Sequence, residues 1–125
     1  MLQIPRWAIE FYRDQHGKYP VSEWLANLDV KSRTRVSRTI QLLETYGPRL
    51  TMPHCRHLRG KIWELRTSFT RHEYRVLYFA AVGRTFVLLH AFAKKTDKTP
   101  EREIETAERR WSEYQAKHTG EENLK

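Results

Sequence analysis

Residues 58–95, LRGKIWELRTSFTRHEYRVLYFAAVGRTFVLLHAFAKK, constrain the fold more than any other part of the chain. Residues 74–81 and 85–93 are dense in aromatic and β-branched side chains, and Val82-Gly83-Arg84 between them has turn chemistry. Residues 62–66 are shorter and mixed, and read as a third strand, joined to the next by a loop over 67–73. A meander of three strands follows. It brings Arg66, Arg75, Lys94 and Lys95 to strand ends or faces of one small sheet, where four cations make a surface suited to phosphate.

A chain of 125 residues suits one domain with one core, set here at 1–117, with 118–125 as a polar C-terminal tail. The formal net charge of +8 is concentrated. Residues 56–98 carry ten Lys/Arg against three Asp/Glu, residues 1–55 eight against five, and residues 99–125 five against seven. The positive field therefore centres on the sheet, as expected for a nucleic-acid partner. A generically basic surface, an acidic protein or a membrane surface are the alternatives. Cys55 stands alone, which excludes an intrachain disulfide and fits a reducing compartment. No stretch approaches the roughly 20 apolar residues of a membrane span, and the first residues lack the apolar core of a signal peptide. The expected location is cytoplasmic.

Before the meander, Trp7, Ile9 and Phe11 alternate with Ala8, Glu10 and Tyr12, so residues 5–13 read as a strand, with a helix as the competing reading. Pro20 opens a short helix carrying Trp24, Leu25 and Leu28. Asp29 is an N-cap for a longer helix that ends near Tyr46-Gly47-Pro48 and turns Val36, Ile40 and Leu43 inward. Its outer face carries Lys31, Arg33, Arg35 and Arg38, either as RNA contacts or as a solvated face. Residues 48–57, with Pro48 and Pro53, read as a loop. His54, Cys55 and His57 lie close there, but nothing at finger-like spacing completes a zinc site, so no metal is assigned. After the sheet, Thr99-Pro100-Glu101 signals a helix start with a hydroxyl N-cap. Ile104, Ala107, Trp111 and Tyr114 then give an amphipathic helix to about Gln115. The fold class is α+β: one curved, mostly antiparallel sheet, two helices of the N-terminal half on one face, and a C-terminal helix, with the sheet's other face partly open.

No Walker loop, GxGxxG, HExxH or GxSxG occurs. The Arg, Lys, His and Tyr residues of the sheet suit RNA cleavage without a metal or other cofactor, in which the ribose 2′-hydroxyl attacks the adjacent phosphate. Arg and Lys would stabilise the added charge, and His or Tyr would move protons. Arg75 leads, because an arginine among apolar strand residues is costly unless it faces a groove, a partner or a carboxylate such as Glu64 or Glu73. Arg66 comes second, then Lys94 and Lys95. His90 lies in an apolar strand and His72 in a loop; either is a candidate for proton transfer. Lys61 and His72 join the α-helical cations as candidate contacts to RNA or the ribosome.

Several pieces together carry a resemblance: Tyr19-Pro20-Val21, ETYGP over 44–48, Leu58-x-Gly60-x-Ile62-Trp63-Glu64-Leu65-Arg66, Tyr74-Arg75-Val76-Leu77-Tyr78, and Leu89-His90-Ala91-Phe92-x-Lys94-Lys95 continuing through Thr99-Pro100 to Arg110. From about residue 7 to 114 the chain resembles the Gp49-like branch of the RelE/ParE superfamily, the HigB-type toxins of type II toxin–antitoxin systems. The resemblance implies a ribosome-dependent mRNA endonuclease acting on message in the 70S ribosome. It also implies a HigA-like helix-turn-helix antitoxin and a hetero-oligomer with it. The family's active-site arginine corresponds to Arg75, its basic residue on the preceding strand to Arg66, and its basic residue after the last core strand to Lys94 or Lys95. Glu64 departs from relatives with a lysine on that strand. The rivals are a ParE-like inhibitor of DNA gyrase, on the same fold, and an RNA-binding module that cuts nothing.

Overall fold

The computed structural model describes residues 6–95 and 98–123. Strand β1 (Ala8–Phe11) is followed by helices α1 (Pro20–Ala26) and α2 (Val30–Tyr46). Strands β2 (Cys55–Arg59), β3 (Ile62–Phe69), β4 (His72–Ala81) and β5 (Thr85–Lys94) come next, then helix α3 (Glu101–Asn123). One five-stranded sheet runs in the order β1-β5-β4-β3-β2. Among the described residues only β1 pairs in parallel, placing Ala8 opposite Thr85. The expected α+β architecture holds.

Alternation along each strand sorts the side chains into two cores. Leu65, Tyr74, Val76, Tyr78, Phe86 and Leu88 pack under the two early helices, which bury Val21, Val36 and Leu43 and add Trp24, Leu25 and Ile40. Asp29 caps α2 by accepting a hydrogen bond from the Ser32 amide at 2.9 Å. Ile62, Leu77, Phe79, Val87 and Leu89 face the opposite side, where α3 packs Ala107, Trp111 and Tyr114 against them. Phe79 is buried and meets the rings of Trp111 and Tyr114 edge-on. Burial of a side chain that size stabilises the fold by about 2–3 kcal/mol.

Four local expectations are corrected. The loop expected over 48–57 gives way to strand at Cys55, because β2 pairs antiparallel with β3 and sets Arg56 opposite Glu64. The loop expected over 67–73 is a hairpin: Phe69 pairs with His72, leaving Thr70-Arg71 as the turn. Thr70 adopts a φ of 58°, and the closing pair holds it there. Thr99 is not the residue before α3. The helix starts at Glu101, and the Thr99 hydroxyl donates to Glu64. The helix also runs beyond Gln115, to Asn123. No helix among the described residues is long and apolar enough to cross a membrane.

A cationic cluster around one buried carboxylate

The ladder registers build the site. Arg56 lies opposite Glu64, and Arg66 lies directly opposite Arg75. Glu73 faces Lys94, and Arg75 faces Phe92. With a period of two, Arg56, Glu64, Arg66, Arg75 and Lys94 all fall on the face that α3 packs against, beyond its apolar patch. An extra residue in β5 shifts that strand's phase: Leu77 pairs with His90 while Tyr78 pairs with Leu88, so Leu89 is the bulged residue and His90, Phe92 and Lys94 share the face of Leu77 and Arg75.

Two arginines directly opposite each other repel. Glu64 resolves that conflict. It is wholly buried, and its Oε1 lies 3.6 Å from Arg75 Nε, 3.8 Å from Arg56 Nη2 and 4.0 Å from Arg66 Nε. Its other oxygen accepts the Thr99 hydroxyl. Arg75 is also buried; it donates to the Tyr74 carbonyl and to Glu73 Oε1, each at 3.0 Å. Yet Glu64 Oε1 and Arg75 Nε, though buried and facing each other, make no hydrogen bond. The contact between them is purely charge on charge. Burial holds the Lys94 ammonium below the ordinary lysine range; Arg75, Arg56 and Arg66 push the same way, and Glu64 opposes them. A hydrogen bond from Ser68, then one from Arg75, holds the Glu73 carboxyl below its usual range.

The cluster thus gathers three of the expected cations, Arg66, Arg75 and Lys94, and adds Arg56, Glu64 and Thr99. Exposure divides them. Arg75 and Lys94 are 2% and 7% exposed, whereas the side chains of Arg66 and Arg56 are 25% and 43% exposed. Lys95 is exposed just beyond β5.

The other candidates lie elsewhere. His90 is bound to α3: its Nε2 pairs with Glu103 at 2.9 Å, and its Nδ1 meets Arg110 at 3.2 Å. Burial lowers its pKa, against the pull of Glu103. His72 belongs to a strand rather than a loop. Its ring stacks on Tyr74, which is on the α2 side, so it faces away from Arg75. Lys61 sits in the turn before β3, five residues or about 17 Å from Arg66 along the strand. On α2, Lys31, Arg35 and Arg38 are exposed and Arg33 is half-buried. Arg35 lies 4.9 Å over the Phe69 ring. Arg35 and Arg38 share an open groove with His54, Thr67 and Arg66, which joins the helix to the edge of the cluster. In the former loop, the Cys55 thiol donates to the Leu50 carbonyl and His57 contacts the Gly60 carbonyl. Among the described residues no group of His, Cys, Asp and Glu is placed to hold a metal ion.

Arg56 and Glu64 were not among the expected site residues. The only signal for them in the sequence is the charged residue inside WEL at 63–65, which is costly in a strand unless paired.

No curated protein matches the chain. A family model described as "Phage derived protein Gp49-like" (DUF891) matches residues 23–112, which include α2, the whole β2–β5 meander and every residue of the cluster. The chain belongs to the Gp49-like family, within the RelE/HigB-like toxin superfamily, and this ties it to toxin–antitoxin function.

Proposed function

We propose that this protein is the toxin of a type II toxin–antitoxin pair and acts as a ribosome-dependent mRNA endonuclease in the cytoplasm. A HigA-like antitoxin neutralises it in a hetero-oligomer. The observation that carries the reading is the gathering of Arg56, Arg66, Arg75 and Lys94 around the one buried carboxylate of Glu64. So many cations on one face favour a phosphate whose charge grows during reaction.

In the reaction, the ribose 2′-oxygen forms a bond to phosphorus while the bond to the 5′-oxygen breaks. One proton leaves the 2′-hydroxyl and one is delivered to the departing 5′-oxygen. Arg66, partly exposed, meets the phosphate, and Lys95 lies at the rim. Arg75 and Lys94 act from behind through their field, in a setting with little water to screen it. The step uses neither His90, whose ring is held by Glu103 and Arg110, nor His72, on the opposite face. The exposed cations of α2 (Lys31, Arg35, Arg38), with Arg33 and Lys61, contact ribosomal RNA.

The test is primer extension on a reporter message translated in a purified bacterial system, with wild-type protein and Arg66→Ala. Cuts should require ribosomes and fall in codon register. Loss of one charge-stabilising group should reduce them about a hundredfold or more. Intact message with wild-type protein would overturn the reading, and inhibition of gyrase supercoiling would then be the next assay.

A further inference from the structure

Arg75 is the most central cation of the cluster and the least accessible. The cations that reach solvent are Arg56 on β2 and Arg66 on β3. Both lean toward the same Glu64 oxygen, at 3.8 and 4.0 Å, outside hydrogen-bonding distance. Their N–H groups are therefore not consumed by it. Arg66 Nη1 has a weak contact to Met52 Sδ at 3.4 Å, and among the described residues Arg56 has its ion pair to Glu64. Glu64 itself cannot swing away: it is wholly buried and held by Thr99. Two solvent-facing guanidinium forks are thus tethered to one fixed point from two adjacent strands. Four cations, three arginines and Lys94, stand against two carboxylates, Glu64 and the Glu73 that pairs with Arg75, so the cluster retains surplus positive charge. A fork pair of this kind matches the two non-bridging oxygens of one phosphodiester.

We propose that Arg56 and Arg66 form a two-armed clamp for one phosphodiester of single-stranded RNA, with Glu64 as the post that positions both arms. This rests on the reading of the protein as an RNA-cutting toxin and adds a substrate ligand, Arg56, and a positioning residue, Glu64. Arg75 and Lys94 remain behind the clamp.

The experiment measures anisotropy of a short, labelled 2′-O-methyl RNA, which cannot be cleaved, bound to wild type, Arg56→Ala, Arg56→Lys, Arg66→Ala and the double alanine variant. Thermal unfolding of each is recorded alongside. Loss of one charge-assisted arm should weaken binding about tenfold or more with the melting transition in place. Arg56→Lys should not restore it, since an ammonium cannot supply the fork. The arms serve one phosphate, so the double variant should fall short of the sum of the two single losses. Its salt dependence should drop by about 0.7 in log–log slope, the value for one phosphate on a single strand. Glu64→Gln removes a negative charge, so a merely electrostatic role predicts tighter binding; a post predicts weaker binding.

Wild-type affinity in Arg56→Ala overturns the clamp, and so do fully additive losses with a slope change of about 1.4, which mean two phosphates. Tighter binding by Glu64→Gln overturns the post. If wild-type protein leaves message intact on ribosomes while Arg56→Ala still weakens binding, the nuclease reading fails and the clamp stands. If Arg56→Ala cuts and binds as wild type does, the clamp fails and the nuclease reading stands.

Discussion

Glu64 is the residue on which the cationic face depends. Buried charges are tolerated when paired, and removing one partner costs more than the pair is worth, because the other remains desolvated. Arg75 is the nearest charged partner of Glu64, at 3.6 Å, and is itself buried. Arg75→Ala should therefore destabilise the protein by about 3 kcal/mol in urea unfolding. It is a poor choice for separating catalysis from folding, and Arg66→Ala is the better one. His90 gives a pH signature. Its folded pKa lies below the usual 6.5 through burial, with Arg110 and Arg109 acting in the same direction and Glu103 against them. The unfolded chain thus binds the proton more readily. This contribution to stability is complete above about pH 6.5 and is lost as pH falls through the lower folded value. His90→Gln should flatten the fall in melting temperature between neutral and mildly acidic pH.

At the scale of elements, the helices were legible because their signals are local. Asp29 caps α2 as its position implied, and Asp29→Ala should cost about 1 kcal/mol of stability, read by thermal melting. Gly47 ends that helix with a φ of +56°, and a Cβ there would come 2.4 Å from Trp7 Nε1. Trp7 has little room to retreat, being stacked on Phe86 and with the Arg84 guanidinium over its ring. Gly47→Ala should therefore cost more than the roughly 1–3 kcal/mol of backbone strain alone, and should loosen β1 from α2. The strands were harder. The hairpin at Thr70-Arg71 has no glycine, asparagine or proline, so the usual turn signal is missing, and polar Thr67, Ser68 and Glu73 looked like loop. Strand β2 is an edge with Arg56, His57 and Arg59 along it, and only its pairing with β3 makes it a strand. The site divides in the same way. Arg75 stands out between Tyr74 and Val76, and Arg66 and Lys94 each follow an apolar residue at the end of an apolar run. Arg56 and Thr99 join them only through register and through a contact 35 positions from Glu64, which no local pattern encodes.

On the scale of the whole molecule, the two sheet faces have different duties. One is closed by α1 and α2, whose outer surface carries Lys31, Arg35 and Arg38. The other is shared between the apolar patch under α3 and the cluster. Arg59 ties the two regions together, with ion pairs to Glu101 and Glu108 of α3, each at 2.7 Å. The α2 cations and the clamp should be separable. Arg35→Ala with Arg38→Ala should weaken sedimentation of the protein with ribosomes and lower its salt dependence, while binding of the short RNA stays within about twofold of wild type. Equal loss in both assays would mean one continuous surface.

The parallel pairing of β1 has a consequence for synthesis. Ala8 waits for Thr85, 77 positions later, and contacts so distant in sequence form late. Lys94 and Thr99 are made later still, so a growing chain lacks both the cluster's Lys94 and the hydroxyl that holds Glu64 until residue 99 has left the ribosome. The sheet and the cluster are thus completed only after residue 99 has been made. A chain released before that point carries neither Lys94 nor the Thr99 hydroxyl, so Glu64 and the arginines around it lack two of the groups that surround them in the finished sheet.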